Sequence, residues 1–488
     1  MTISFSHTFA NELEGFYQSC SPEKCTSPRI LQLNASLAEE LGFDCRGLKD
    51  EQGAAVFSGN TLPDNANPIA QVYAGHQFGM FTPQLGDGRA LLIGEVVDGK
   101  GERRDIQLKG SGRTPFSRGG DGKAALGPVL REYLVSEAMH RFGIATTRAL
   151  AAVGTEDWVA REELKPRAVL TRVSASHIRV GSFEFFAARG EWDQVRRLAD
   201  YAIDRHFPDV KDMKDVYLDF FKSVMRKQAK LIADWMSIGF VHGVMNTDNM
   251  TISGETIDYG PCAFMDRYVP STVFSSIDDH GRYAYENQPK IGQWNLAQLA
   301  KALIPLYEEE QELVIQRFVD ELDTFNDYYE TFWLENMRAK LGFINKEEGD
   351  RDLINQLLKL MHECDADFTL TFRYLSKVRL GSELEFKGQF SNSINTSEWL
   401  SRWLQRVSRD EPSPERSALI MDAVNPIYIP RNHKIEEALD AAVNHNDLEP
   451  FRVMLAVVSE PYSERMSDDE FAKPPLTTSA PYVTFCGT

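Results

Sequence analysis

The chain has 488 residues and a formal net charge of −19. This acidic balance argues against a nucleic-acid partner, because nucleic-acid affinity comes largely from basic groups that neutralise phosphates. The chain has no apolar run of about 18 residues, so we expect no membrane span and no membrane partner. Its first 17 residues contain two acids and no lysine or arginine, unlike a targeting peptide. These features predict a cytoplasmic protein and leave its oligomeric state open.

The length exceeds the usual size of one folded core, and local patterns divide the chain into four parts. We expect an N-terminal extension over residues 1–70, with a helix near residues 31–41, and a β-rich lobe with nucleotide-binding loops over residues 71–165. A mainly helical lobe follows over residues 166–345, and a helical extension with a flexible, cysteine-containing tail covers residues 346–488. Apolar periodicity predicts helices in the last two parts at residues 216–237, 294–306, 309–334 and 352–364.

The β-rich part contains two predicted strands, residues 90–97 and 105–108, joined by a glycine turn. Gly86, Gly88 and Arg89 lie in the turn that precedes the first strand. Glycines in such a turn let backbone amides approach an anion, and the arginine adds a positive charge. An ordinary turn is the alternative interpretation, since Gly-x-Gly sequences are common in turns.

Lys109 closes the second strand and is followed by Gly-Ser-Gly, so its ammonium group stands where a phosphate-binding lysine belongs. The next helix, predicted over residues 127–142, has an apolar stripe at helical spacing and carries two acidic candidate partners. Glu137 lies nearer this stripe than Glu132, so periodicity favours Glu137, although spacing alone leaves both open. A solvated helix with surface glutamates is the alternative.

A glycine-rich, basic loop lies between the lysine and this helix, at residues 114–127, with Asp121 and Gly122 at its centre. Further along the chain, Arg172 and Arg179 follow an apolar strand. Guanidinium groups bind phosphate oxygens in pairs and keep their charge. Together these residues predict a basic rim around an anionic ligand, and solvated surface arginines are the alternative.

Residues 242–260 combine carboxylates and carboxamides around a predicted β-hairpin, whose turn brings Asn249 close to Asp258. Asp248 immediately precedes Asn249. Such hard oxygen ligands suit Mg²⁺ or Mn²⁺, which takes the rest of its shell from waters and nucleotide phosphates. The alternative is a hairpin whose Asp and Asn residues only initiate turns.

The six cysteines are too few for a disulfide framework in a chain of this length, and they show no paired spacing typical of zinc. Cys486 lies near the C-terminal end, in a tail of prolines and small residues that predicts an extended segment. Taken alone, it is an exposed thiol.

The assembled motifs resemble those of the selenoprotein O family of protein-kinase-like proteins. They are YAGHQFG, QLGDGRA, IQLKGSGRTPFSRGGDG, REYLVSEAM, HGVMNTDNM, IDYG, NPIYIPRNH and the C-terminal cysteine. The resemblance covers nearly the whole chain. It implies an α+β, protein-kinase-like fold with a β-rich N-lobe, a mainly helical C-lobe and appended C-terminal helices. It also implies transfer of AMP from ATP to protein hydroxyls, with UMP transfer from UTP as a family alternative.

The resemblance also implies roles for individual residues. It places metal ligands at Asn249 and Asp258, makes Asp248 the proton acceptor, and pairs Lys109 with Glu132 rather than with Glu137. Nucleotide contacts are implied at Gly86, Gly88, Arg89, Lys109, Asp121, Gly122, Arg172, Arg179 and Asp258.

Cys486 occupies the position of the family's selenocysteine or its cysteine replacement, which implies a redox role. Gly487 and Thr488 depart from the serines that often follow this position. Cys262 lies four residues past Asp258 and is a candidate disulfide partner only if the tail folds back over the site.

Val244 departs from ordinary protein kinases, in which a catalytic Asp occupies this place, two positions after the loop His. A valine cannot accept a proton, and Asp248 is the only nearby carboxylate in this loop able to replace it. This departure argues against γ-phosphoryl transfer. It argues less strongly against nucleotidyl transfer, in which positioning and charge neutralisation dominate.

The sequence therefore predicts a protein nucleotidyltransferase that uses Mg²⁺ or Mn²⁺, ATP or UTP, and protein substrates. The alternatives are a kinase acting on protein or a small molecule, and a nucleotide-binding scaffold without catalysis. Val244 disfavours the kinase. The joint presence of a phosphate-binding lysine, its glutamate partner and the metal ligands disfavours the scaffold.

Overall fold

The computed structural model of the chain describes residues 3–45, 48, 50–391, 393–410, 412–476 and 482–484. Its strands are β1 (Tyr17–Ser19), β2 (Arg29–Leu33), β3 (Ile69–Gln71), β4 (Gly75–Gln77), β5 (Met80–Thr82), β6 (Ala90–Val97), β7 (Arg103–Lys109), β8 (Ala124–Ala125), β9 (Arg148–Ala160), β10 (Leu164–Ser174), β11 (Phe240–Val241) and β12 (Ala263–Phe264).

The α-helices are α1 (Thr8–Glu12), α2 (Ala35–Glu40), α3 (Glu51–Ser58), α4 (Leu126–Arg141), α5 (Val180–Ala187), α6 (Trp192–His206), α7 (Val216–Ser237), α8 (Gln288–Leu303), α9 (Gln311–Asp323), α10 (Phe325–Lys340), α11 (Asp350–Glu363), α12 (Phe368–Arg373), α13 (Leu375–Arg379), α14 (Leu384–Lys387), α15 (Ser393–Ser408), α16 (Pro414–Asp422), α17 (Asn432–Asn444), α18 (Glu449–Ser459) and α19 (Asp469–Ala472). No helix in the described ranges is long and apolar enough to cross a membrane.

The N-terminal part forms an antiparallel sheet in the order β1-β3-β6-β7-β10-β9-β2, with β8 paired to β10. The central strands β6, β7 and β10 are largely buried, because helices and loops cover them and their sequences are rich in apolar residues. Helix α4 packs against β9 and β10. The sheet and α4 make the first lobe and bring the ends of β7 and β10 toward the second.

The chain after β10 is mainly helical. Helix α7 packs against α8, α9 and α10 and buries one apolar face along its length, as its period of apolar residues requires. The short β11–β12 ladder lies beside α7, and the loop at residues 242–262 connects its two strands. The α+β, two-lobed fold class expected from the sequence is confirmed.

The structure divides one predicted helix. Residues 309–334 contain helix α9 and the first part of helix α10, and Thr324 lies between the two helices. The Thr324 hydroxyl donates to the Glu321 carbonyl, and such local side-chain hydrogen bonds compete with helix continuation. By contrast, β6 and α7 have the bounds that periodicity predicts.

A second difference lies near residues 31–41, where the sequence predicts one helix. The chain there is first a strand, β2, paired with β9, and becomes helical only at Ala35. The side chain of Asn34 accepts a hydrogen bond from the Leu37 amide, and an N-cap of this kind fixes where a helix begins.

One buried ion cluster joins the C-terminal helices to the helical lobe. Arg431, just before α17, is fully buried. Its Nη1 donates to Asp266 Oδ1 and to Asp367 Oδ2, both at 2.6 Å, and its Nη2 donates to the Ala472 carbonyl at 2.8 Å. One guanidinium group therefore holds three segments that are distant in sequence.

We expect Arg431→Met to lower the free energy of unfolding by about 3–5 kcal/mol, because it leaves two carboxylates without their cation inside the protein. Arg409→Met is the matched control, since Arg409 forms an exposed pair with Glu347 and solvent-exposed ion pairs contribute little to stability. Denaturant unfolding of both variants measures the difference. Equal losses would contradict this account of the buried cluster.

Candidate active site between the two lobes

Lys109 lies at the end of β7, and its Nζ donates to Glu132 Oε2 on α4 at 2.6 Å. Both side chains are buried. Glu137 is buried too, but it accepts from the Arg148 guanidinium at 2.8 Å on another side of the helix. The preference for Glu137 from periodicity is therefore wrong. Helix α4 is buried around most of its circumference, so periodicity does not distinguish its inward-facing acids.

Two arginines reach the same place from β10 and from the start of α5. Arg172 Nη1 donates to Asp258 Oδ1 at 2.7 Å and to Glu132 Oε1 at 3.3 Å. Arg179 Nη1 donates to Asp258 Oδ2 at 3.1 Å. Lys109 Nζ donates to Asp258 Oδ1 at 2.8 Å. Three cations from the two lobes thus converge on one carboxylate.

Asp258 adopts a φ of 62°, a left-handed conformation that Asp tolerates better than most residues. This conformation turns its carboxylate toward the cations. Burial by itself raises the pKa of Asp258, but the charges of Lys109, then Arg172 and Arg179, outweigh burial and hold that pKa well below its usual range. The carboxylate is therefore ionised throughout the neutral range.

The loop before Asp258 does not form the predicted hairpin. Instead, Thr251 forms a β-bridge with Arg179, and Thr256 forms one with Thr146 in the first lobe. Asp248 belongs to a short 3-10 helix, Thr247–Asn249. The loop is therefore held by segments distant in sequence, which local pattern does not reveal.

Asn249 closes that 3-10 helix. Its Nδ2 donates to the Val244 carbonyl at 3.0 Å, so its Oδ1 is turned to the other side and accepts no hydrogen bond from the part of the chain that the structure describes. Arg179 Nη1 donates to the Asp248 carbonyl at 2.8 Å as well as to Asp258. One guanidinium nitrogen therefore joins the two halves of the predicted metal loop.

Asp248 is 7% exposed, and its Oδ1 has no hydrogen-bond partner among the described residues. Its Oδ2 lies 3.5 Å from Gln77 Nε2. Burial raises the pKa of Asp248 to about 6, against the opposing charge of Arg179. The site thus contains a carboxyl group that gains and loses a proton close to neutral pH.

The sequence did not identify the segment that covers this carboxyl group. It is the β4–β5 hairpin, residues 75–82, whose backbone amides at His76 and Phe78 donate to Thr247 Oγ1 at 2.7 Å and to Asn246 Oδ1 at 3.0 Å. A Cβ on Gly75 would lie 2.3 Å from Asp248 Oδ1. The missing side chain of Gly75 therefore leaves the space that the Asp248 carboxylate occupies. A glycine at this position was the sequence feature that could have indicated a close contact here.

A buried glutamate supports the same contact. Glu184 on α5 accepts from the Thr247 hydroxyl and lies with its Oε1 2.5 Å from His76 Nδ1. Because Thr247 in turn accepts from the His76 amide, these three residues fix the hairpin to the loop that carries Asp248. Sequence reasoning gave no role to any of them.

The turn containing Gly86 and Gly88 packs under the glycine-rich loop. A Cβ at Gly86 would lie 2.6 Å from the Phe116 ring, and one at Gly88 would lie 2.9 Å from the Phe116 carbonyl. Arg89 is partly exposed, and its side chain has no hydrogen-bond or ion-pair partner in the described ranges. The glycines allow close packing of two loops, and Arg89 provides a cation that protein groups do not neutralise.

Asp87, between these glycines, is a buried acid that the sequence analysis did not single out. Its Oδ2 accepts from the Gln71 amide at 3.1 Å, and its Oδ1 lies 3.7 Å from Arg179 Nη2. Burial raises the pKa of Asp87, against the charge of Arg179. This acid positions Arg179 from the side opposite to Asp258.

Asp121 is held by Arg161, which the sequence analysis missed. Arg161 Nη1 and Nη2 donate to the two carboxylate oxygens at 3.0 and 3.1 Å. The next residue, Gly122, has a φ of +65°, and a Cβ there would lie 2.1 Å from the Gly112 carbonyl. Asp121 and Gly122 therefore fix the shape of the loop, and the Asp121 side chain is already paired.

The end of the described chain lies beside this site. The Thr484 amide donates to the Phe274 carbonyl at 2.7 Å, and its hydroxyl donates to the Pro261 carbonyl at 2.8 Å. The neighbouring Cys262 is buried, and burial raises the pKa of its thiol to about 11. Cys486 lies outside the described residues, so its redox role stays a prediction.

Comparison with known proteins identifies the family to which the chain is similar. The family model described as "Protein adenylyltransferase SelO" matches residues 1–459. The chain is 52% identical over 488 residues to a protein named "Protein nucleotidyltransferase YdiU" from Rhizobium rhizogenes, an alignment that covers 100% of this chain and 97% of the relative.

Two further relatives carry the same name. One, from Cereibacter sphaeroides, is 55% identical over 490 residues, and another, from Agrobacterium fabrum, is 52% identical over 486 residues. Both alignments cover 100% of this chain and 100% of the relative.

We expect Asp248→Asn to stabilise the fold at alkaline pH. The pKa of Asp248 rises from its usual 3.8 to about 6 on folding, so the unfolded chain is favoured once this group ionises. The resulting destabilisation is absent below about pH 4 and complete above about pH 6, where the shift corresponds to about 3 kcal/mol. Unfolding measured across this range tests the prediction, and a difference between variant and wild type that does not change with pH would contradict it.

Proposed function

Because the chain belongs to the SelO family of protein adenylyltransferases, we propose that it transfers AMP from ATP to Ser, Thr or Tyr hydroxyls of proteins and releases pyrophosphate. One observation carries this proposal. Asp248, a buried carboxyl group, lies in the loop that Arg179 joins to Asp258, and Lys109 and Arg172 converge with Arg179 on the Asp258 carboxylate. A nucleotide triphosphate supplies anionic oxygens for such a cluster, and a hydroxyl supplies the proton.

Lys109, Arg172 and Arg179 would hold the phosphate oxygens. These cations lie in a largely buried site, where charge interactions are stronger than in water, and their positions are fixed before the reaction starts. Preorganised charge of this kind stabilises the negative charge that builds on the leaving group. Arg89, which has no protein partner in the described ranges, adds a fourth cation at the nearby glycine turn.

Asn249 and Asp258 would hold a divalent cation, Mg²⁺ or Mn²⁺. The residues fit, since Asp258 is ionised and the amide oxygen of Asn249 is turned away from its own hydrogen bond. The described residues contain no cluster of three or more His, Cys, Asp or Glu side chains suited to a metal, and these two oxygen donors match a metal that shares its shell with phosphates. When bound, the cation supplies positive charge to the phosphate oxygens.

In the proposed reaction, the acceptor oxygen forms a bond to the α-phosphorus as the bond to the bridging oxygen of the β-phosphate breaks. Asp248 takes the hydroxyl proton, and pyrophosphate leaves with the bonding electron pair. The raised pKa of Asp248 makes it a better proton acceptor than an ordinary aspartate, since a base works best with a pKa near the working pH.

Val244 supports AMP transfer over kinase chemistry. Its side chain is apolar and buried, at the place where a protein kinase has its catalytic aspartate. ATP rather than UTP, a cytoplasmic location and the absence of a nucleic-acid partner remain parts of this proposal.

The purified chain, incubated with Mg²⁺ or Mn²⁺ and soluble bacterial proteins, should transfer label from α-labelled ATP to protein and none from γ-labelled ATP. Asp258→Asn and Lys109→Ala should each reduce labelling about a hundred- to thousandfold, because Lys109→Ala removes a cation from the reacting phosphates and Asp258→Asn removes the charge that would hold the divalent cation. α-Labelled UTP in parallel identifies the nucleotide.

Circular dichroism of each variant serves as the folding control. Label from γ-labelled ATP alone would mean that the protein is a kinase. No label from any nucleotide would contradict AMP transfer and favour a scaffold without catalysis.

Gly75→Ala should lower the rate of AMP transfer about a hundredfold with little change in the KM for ATP. The added Cβ meets Asp248 Oδ1 and displaces the proton acceptor, and a displacement of about 1 Å has an effect of this size. Gly349→Ala is the matched control, because no atom lies within 4 Å of a Cβ there. Steady-state rates of both variants provide the test, and equal rates would show that Asp248 tolerates the displacement.

A further inference from the structure

The β4–β5 hairpin contacts Asp248 through Gly75 and Gln77, and its residue Met80 is exposed to solvent. Its two-residue turn, Phe78 and Gly79, has φ values of 51° and 83°, the left-handed conformations of a tight hairpin turn. Gln77 pairs with Met80 across the hairpin. Alternate residues of a strand point to the same face, so Gly75, Gln77 and Met80 share the face that meets Asp248.

Met80 is the apolar residue on that face, and it is 75% exposed. It lies directly opposite Gln77, whose amide approaches Asp248 to 3.5 Å. Directly opposed side chains on a strand pair have Cβ atoms about 5 Å apart. The exposed apolar side chain of Met80 therefore starts about 5 Å from Gln77, the residue that approaches Asp248.

A groove of about 480 Å³ continues this surface past the hairpin tip. Phe78 and Ile277 both line the groove, and Ile277 is 55% exposed. Arg282 lines the groove and also contacts the hairpin turn. Its guanidinium group lies 4.7 Å from the Trp294 ring centre and 3.3 Å from where a Gly79 Cβ would be. The groove is thus a formed feature with room for one or two side chains.

The charges around the groove do not favour a strongly charged ligand. Asp279, His280, Arg282 and Lys290 all line the groove. Acidic and basic groups both line the groove, so neither sign of charge dominates it, and Met80 and Ile277 nearby are large, apolar and exposed. A ligand can therefore contact Met80 and Ile277 without carrying a particular charge.

We propose that the β4–β5 hairpin and this groove bind an extended segment of the substrate protein, with an apolar residue close in sequence to the hydroxyl that receives AMP. The inference rests on the proposed function and specifies its substrate. Asp248 is only 7% exposed, so the acceptor hydroxyl enters on its own side chain while the substrate backbone stays outside. An extended segment rises about 3.3 Å per residue, which puts the apolar residue about two to four positions from the acceptor.

The test uses a peptide library with a fixed Ser, Thr or Tyr and one varied position at a time, labelled with α-labelled ATP. Wild type should label peptides with a large apolar residue at a set distance from the acceptor most strongly. Met80→Ser combined with Ile277→Ser should lose this preference and label the best peptides about tenfold less, a typical effect of one lost apolar contact. Its KM for ATP should be unchanged.

Met466→Ser combined with Ile344→Ser is the matched control, since these residues are 98% and 54% exposed and line neither the hairpin nor the groove. This control should behave as wild type does. Similar losses in both double variants, or an apolar preference that survives Met80→Ser with Ile277→Ser, would overturn the inference.

Two further outcomes separate this inference from the proposed function. Labelling of intact bacterial proteins but of no peptide would leave AMP transfer standing and overturn recognition of an extended segment. Labelling of neither would overturn both. A change of molecular mass in solution in the Met80 and Ile277 double variant, with peptide preference kept, would assign the surface to contact between copies of this chain.

Discussion

The carboxylate of Asp258 is the group on which the arrangement of this site depends. Lys109 from β7, Arg172 from β10 and Arg179 from the start of α5 all donate to it. Without an anion at this point, three cations would repel one another in a largely buried place. The ion cluster that joins the two lobes is also the proposed site for phosphate groups.

A second feature of the site lowers the stability of the fold. Asp248 is buried with one oxygen unpartnered, and a buried carboxylate without full hydrogen bonding destabilises the folded state. The β4–β5 hairpin keeps it there, through the space left at Gly75 and the contacts of His76 with Thr247 and Glu184. The destabilising effect of Asp248 and its proposed role as proton acceptor thus have the same cause, which is the exclusion of water from its carboxyl group.

The hairpin also connects chemistry with recognition. Its inner contacts fix the loop that carries Asp248, and its exposed Met80 belongs to the surface proposed to bind the substrate protein. A substrate that packs on Met80 therefore touches the same small element that positions Asp248. The hairpin has only two strands of three residues each. Its position is stable because its backbone amides donate to Thr247 and Asn246 of the second lobe.

Local sequence pattern predicts the strands and helices with strong periodicity, such as β6 and α7, and indicates residue types suited to binding phosphate and metal. It did not determine partners. Glu132 and Glu137 are both inward-facing acids, and only packing of α4 against the sheet decided which one meets Lys109. Likewise, the bridges of Thr251 and Thr256, the pairing of Asp121 with Arg161 and the hairpin over Asp248 join segments far apart in the chain. Such contacts leave no local pattern, because periodicity records which side of an element is buried and not what it is buried against.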